Sequence, residues 1–318
     1  MIGKHLALSE QGLPWGTQIL VSKKGRNMSS RITITAGLWR ASIFALIGIF
    51  LSLLPQAQVI LDLDLDGEPY RLFIAHPHEI LPEITPMVLG SVNQSSLVEK
   101  FGRCLGNQAI LFNCEAAVVG TTRTLSLADE DFNLSFSASP YLTAQTLRDL
   151  SWGALSSGVF PVLDLRNGYN PEVIRSLMAR KIFPGLLIDE NQWPDPFIIE
   201  TGLGVVTSDG KWMQNPYEWK RFSWKGSEVS PDPLRIQLLI HSITLIKRTK
   251  NFDTTTIIQK DHGLQIMDRG VILYLRPDWM DPKLFLSGVV VYSLDPQVIQ
   301  EATEVLMGIQ PAKGRKSW

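Results

Sequence analysis

The chain has 318 residues, 45% of them apolar and 19% charged, with a formal net charge of −1 and two cysteines. This composition excludes a disordered chain and leaves room for one large or two modest cores. Residues 1–57 hold six Lys/Arg and one Glu, so the remainder carries 24 basic and 30 acidic residues, an acidic excess that argues against nucleic acid as a partner.

The first feature in chain order is the uncharged run Ala41–Leu61, whose apolar heart is ASIFALIGIFLSLL, Ala41–Leu54. Its length falls short of the about 20 residues of a membrane span and suits a signal-peptide core of about 7 to 15. Arg31 and Arg40 supply the basic flank. A leader should begin near the first residue, and Met28 restores that order: from Met28 the chain reads basic start, apolar core, then Pro-Gln-Ala. Residues 1–27 are therefore read as lying upstream of the true start. The codons of Lys23-Lys24-Gly25 contain AAGG, which resembles a bacterial ribosome-binding site. Pro55 and Ala57 meet the small-residue cleavage rule imperfectly, so an uncleaved anchor is the alternative and the sole route to a membrane. Either way a periplasmic or other extracytoplasmic location in the cell envelope is expected.

In VILDLDLDGEPYRLFIAHPHE, Leu61, Leu63 and Leu65 alternate with Asp62, Asp64 and Asp66, the period of a half-buried strand, and Asp66-Gly67 supplies a hairpin turn. The same aspartates imitate a calcium loop, but Phe73 stands where that loop needs Glu, and Pro69 falls inside it. His76 and His78 form a candidate zinc pair like the strand-end histidines of amidohydrolases, whereas a strand exit into a turn needs no metal. A helix is expected near SSLVEKFGRCL. Cys104 and Cys114 are expected to form a disulfide on export, with two buried free thiols as the alternative, and their spacing is not that of a redox pair.

LADEDF, Leu127–Phe132, reads as a boundary between a strand-rich unit, 58–130, and a regular α/β stretch, 131–212. FNLSFSAS alternates like a strand. Thr143–Ser157 reads as a helix capped by Thr143 and ended by Gly158, and VFPVLDL as a buried strand. NPEVIRSLMARKI is a helix with Asn170 as cap and Pro171 at its first position; GLLIDE and PFIIE are strands, and Asp209-Gly210 turns the chain. The order is that of a thioredoxin-like βαβαββ module without a thiol at the reactive position, with Asp195-Pro196 as a candidate cis bond.

Within this stretch Ser135-Phe136-Ser137, Pro140, Leu147, Leu150, Ala154, Gly158 and the strand ending near Arg166 resemble the TrbC family, periplasmic assembly proteins of F-type conjugative pili. The resemblance extends over residues 134–200. It departs at Ala138, where the pattern prefers Met, and at Asn167, which interrupts an Arg-Gly. It implies a non-redox thioredoxin-like scaffold in a cell-envelope transfer machine.

Residues 213–318 read as a mixed α/β region. Trp212, Tyr217, Trp219, Phe222 and Trp224, interleaved with Lys220, Arg221 and Lys225, form either a binding strip for sugars or proteins or an ordinary amphipathic edge strand. DPLRIQLLIHSITLIKR reads as a helix. TTTIIQ, GVILYL and LFLSGVVVYSL read as strands, DPQVIQEATEVLMGI as a final helix capped by Asp295, and AKGRKSW as a solvated tail. Asp261-His262 is adjacent in sequence and reads as a turn rather than an acid-base pair. There is no G-x-S-x-G, phosphate-binding glycine loop or zinc helix. The sequence therefore leads to an exported mixed α/β protein that assembles or docks, without catalysis or cofactor, with other envelope proteins of a conjugation or secretion apparatus. A metal-dependent hydrolase using His76 and His78, and a carbohydrate-binding module using the tryptophans, are the alternatives.

Overall fold

The computed structural model describes residues 59–65, 67–125, 135–215, 219, 229–247, 256–259, 271–274 and 288–316. The expected leader, the Asp261-His262 pair, and Tyr217, Phe222 and Trp224 lie outside the described residues.

The alternating leucines and aspartates form β1 (Val59–Leu65), which pairs antiparallel with β2 (Glu68–Ile74). Leu63 faces inward while Asp62 and Asp64 stay in solvent. The connection is closed by Gly67 at φ +82°, whose N–H donates to the Asp64 carboxylate at 2.7 Å. Parallel neighbours follow in sequence order: β3 (Ala116–Thr121), β4 (Phe160–Asp164), β5 (Gly185–Ile188) and β6 (Val205–Thr207), with β7 (Trp212–Gln214) returning antiparallel.

Parallel strands need crossovers, and helices supply them. Short α1 (Pro77–Ile80) and α2 (Pro86–Ser91) lead into α3 (Ser95–Leu111) between β2 and β3. α4 (Pro140–Ser157) joins β3 to β4, α5 (Pro171–Ala179) joins β4 to β5, and α6 (Pro196–Thr201) joins β5 to β6. Because neighbours in space are neighbours in sequence and crossovers share one hand, the helices fall on one face. Phe73, Ala117, Val119, Leu163, Leu186 and Ile188 pack beneath them. The alternate residues Leu72, Ala116, Val118, Val162, Leu187 and Val206 share the opposite face with Trp219.

Most helix signals in the sequence act as read. Asn170 accepts from the Glu172 amide at 2.9 Å, Pro171 opens α5, and Val173, Ile174 and Leu177 are buried. Gly158 ends α4 at φ +89°. Four local readings are corrected. Ser139, not Thr143, caps α4, accepting from Leu142 N–H at 3.4 Å, while Thr143 Oγ1 donates back to the Ser137 carbonyl. Ser135–Ser139 form no strand, since these serines serve a turn and a cap instead of a ladder. PFIIE is α6: Asp195 accepts from the amides of Phe197 and Ile198, Pro196 fits the first position, and Gly202 at φ +67° ends it, so terminal signals outweigh its β-branched residues. The cis bond is Trp193–Pro194.

The thioredoxin-like module over 131–212 does not separate. β4, β5 and β6 continue the sheet that begins at β1, and Gln56–Trp318 form one compact unit. The fold class is mixed α/β. A second sheet has the order β8 (Thr244–Lys247), β11 (Gly288–Val291), β10 (Val271–Tyr274), β9 (Thr256–Gln259). It is flanked by α7 (Pro231–His241), which packs on α3, and by α8 (Pro296–Met307), capped by Asp295. The expected solvated tail is instead pinned. Gly314 N–H donates to the Ile243 carbonyl at 2.9 Å, and the Arg315 guanidinium bonds the Gly90 carbonyl, Gln145 and Thr146.

Candidate functional site

Since β2 to β6 run parallel, their carboxyl ends meet at one edge, where the connections of open α/β sheets carry ligand sites. β2 delivers His76 to this edge, β3 Thr121, β4 Asp164 with Arg166, β5 Asp189 and Glu190, and β6 Ser208 and Asp209.

A pocket of about 130 Å³ opens between the ends of β2, β3 and β4. Its buried lining is apolar, Pro86, Phe101, Leu105 and Phe136, with the half-buried Ile80 as a side wall. Its rim is polar: His76, Thr121, Asp164, Arg166 and Asn167. Arg166 grips Asp164 in a fork, Nε to Oδ1 at 2.9 Å and Nη2 to Oδ2 at 2.7 Å, and this bond holds the guanidinium pKa above its ordinary value.

Beyond β5 the edge carries a second cluster. Lys211 Nζ donates to Glu190 Oε1 at 2.7 Å and lies 2.6 Å from Asp209 Oδ2. Thr207 Oγ1 donates to the other Asp209 oxygen, and Ser208 Oγ donates to Asp189 at 3.2 Å. Lys211, and after it Thr207, hold the Asp209 carboxyl well below the usual carboxylate range, while Asp209 and Glu190 raise the Lys211 ammonium. The β6–β7 turn sets this geometry. Gly210 at φ +86° donates to the Thr207 carbonyl at 2.9 Å, which folds Asp209 and Lys211 onto the same side. The ion pairs are exposed and add little stability, so their placement matters chiefly for chemistry.

Residues singled out in the sequence fare differently. His76 reaches the rim, but its ring lies parallel to that of His78, centroids 5.6 Å apart, and among the described residues no group of three metal-ligating side chains exists. Cys104 and Cys114 are free and buried, which corrects the disulfide. Cys104 is held in the α3 core, and the Cys114 thiol donates to the Phe112 carbonyl. Trp219 is only 2% exposed, tilted against Tyr70, Phe160 and Trp212 over the sheet, so it belongs to no surface strip. Trp212 donates its indole N–H to the Asp64 carbonyl at 2.5 Å. Sequence reasoning missed Asp164, Arg166, Glu190, Asp209 and Lys211. For four of them a signal was available: Asp164, Arg166, Glu190 and Asp209 sit at or just past the end of a parallel strand, whereas Lys211 directly precedes the antiparallel β7.

No family model and no curated protein matches the chain. Among solved structures, the chain is similar to a GH3 β-glucosidase of Bifidobacterium adolescentis, with 13% identity, 58% of this chain and 40% of that chain covered, and a TM-score of 0.41. It is also similar to a glycoside hydrolase family 3 β-N-acetylglucosaminidase of Paenibacillus sp. str. FPU-7, with 9% identity, 72% and 81% covered, and a TM-score of 0.43. A third similar structure is the β-glucoside phosphorylase BglX bound to 2FGlc, with 8% identity, 73% and 79% covered, and a TM-score of 0.44. The chain spans 40% of the Bifidobacterium enzyme and 27% of a Thermotoga neapolitana β-glucosidase 3B. The three are named as a glucosidase, an N-acetylglucosaminidase and a glucoside phosphorylase, and none as the component of a conjugation or secretion apparatus that the sequence led us to expect.

Proposed function

We propose that the carboxyl edge of the sheet hydrolyses a glycosidic bond, with Glu190 and Asp209 as its carboxyl pair. One observation carries this reading: carboxylates from the ends of two adjacent strands are gathered on a single ammonium, Lys211, at a solvent-open edge. Acetal hydrolysis needs two such groups. One carboxyl gives its proton to the departing oxygen as the C–O bond breaks; the other, ionised, supports the carbon left behind while water supplies its new hydroxyl. Asp209, held ionised by Lys211 and Thr207, fits the second role, which leaves the first to Glu190, the other carboxyl on the ammonium. Ser208, Asp189 and the Asp164–Arg166 fork offer partners to the hydroxyls of a sugar.

A panel of p-nitrophenyl glycosides tests this. Release of nitrophenol is expected from at least one member, with Asp209→Asn and Glu190→Gln each lowering kcat by about 10²–10⁴. An inert panel, or variants as active as the parent, overturns the reading.

A further inference from the structure

The pocket beside the acid pair is built for something other than a sugar ring. Every residue at its depth is apolar, and Phe101, Leu105 and Phe136 are almost fully buried. Hydroxyl groups placed there would lose their water and find no partner. An apolar ring would gain contact with these buried side chains. The volume fits: about 130 Å³ is close to the roughly 150 Å³ of an apolar cavity that takes up benzene.

The floor is shaped by a particular contact. A side-chain carbon at Gly120 would lie 2.5 Å from the Phe136 ring, so only the bare backbone of β3 lets that ring come so close. The Phe136 carbonyl in turn approaches Gly90 of α2 so closely that no side chain fits there either. Phe136 is thus wedged from two sides, and its ring sets how deep the pocket runs.

Position completes the argument. The pocket ends at β4, whereas Glu190 and Asp209 follow β5 and β6. At the usual strand spacing of about 4.8 Å, the two lie about 10 Å apart along the edge, which one sugar unit can span. From this we infer that the pocket is the subsite for the apolar part of the substrate, a phenyl or branched alkyl group carried by the glycoside, with Phe136 as the residue that sets its size limit. The assignment of that group to a glycoside rests on the hydrolase reading above; the pocket's preference for an apolar ring does not.

Binding of benzyl alcohol, followed by saturation-transfer NMR on the full chain, tests it without turnover. Saturable binding is expected, weakened about tenfold or more by Ile80→Trp, which adds bulk at a half-buried wall. Phe136→Leu is expected to shift preference toward 2-naphthylmethanol. Absence of saturable binding, or equal binding by the parent and Ile80→Trp, overturns the inference. Benzyl alcohol binding beside an inert glycoside panel keeps the apolar subsite and removes the hydrolase. Hydrolysis in which Ile80→Trp leaves the KM ratio of phenyl to methyl glycosides unchanged keeps the hydrolase and removes the subsite.

Discussion

Cys104 and Cys114 show how one environment fixes the chemistry of a residue. Burial pushes both thiols up to about 11 from an ordinary 9.0, the nearby Arg71 opposing this only in part at Cys114. Because the folded state holds these protons more tightly than the unfolded chain, the associated stability is complete below about pH 9 and is lost as pH rises towards about 11. The urea midpoint is expected to fall across that window, and the double substitution Cys104→Ala, Cys114→Ala to flatten that part of the profile. Iodoacetamide at pH 8 is expected to leave both thiols unmodified in the native protein and to modify both in denaturant. The sequence, read with an exported chain, favoured the bond over free thiols. Only their surroundings distinguish the two.

At the scale of elements, α3 and α4 meet backbone to backbone. A side chain at Gly153 would lie 2.1 Å from the Glu99 carbonyl and 2.7 Å from Gly102 Cα, and one at Gly102 would lie 2.3 Å from the Leu150 carbonyl. The two backbones touch, with no layer of side chains between them. Gly153→Ala is therefore expected to cost about 2–3 kcal/mol, despite alanine's better helix propensity, read as a lower guanidinium midpoint. Both helices were legible from apolar spacing, and the end of α4 from Gly158. Their glycines were not read as a contact, because small residues within a helix carry no local signal of what approaches them. PFIIE shows the converse: a short apolar run is ambiguous until its ends are weighed, and Asp195-Pro196 with Gly202 made it a helix.

Across the whole molecule, distant segments are tied together by a few polar side chains. Arg235 of α7 pairs with Glu83 and with Asp295, the cap of α8, and Glu83 also accepts from Ser293. Arg315 does more. It draws the end of the chain across α2 and α4 through bonds at 2.9, 3.0 and 3.3 Å, while Thr244 donates to its carbonyl. Burial lowers its pKa, so its bonds compensate for lost hydration. Arg315→Ala is expected to cost about 2–3 kcal/mol in chemical denaturation, and Arg315→Lys to recover little, since one ammonium cannot replace a planar fork.

The sequence alone determined what local physics controls: the alternation that makes β1, the turn at Gly67, the caps at Asn170 and Asp295, and hence an α/β chain. Tertiary structure decided the rest. Strand order, the burial of Trp219, the free thiols and the pinned tail depend on contacts between residues far apart in the chain, which no periodicity records. The candidate site belongs to this second group. Asp164, Glu190 and Asp209 look like ordinary residues at strand ends, and they share an edge only because parallel pairing aligns the carboxyl ends of successive strands.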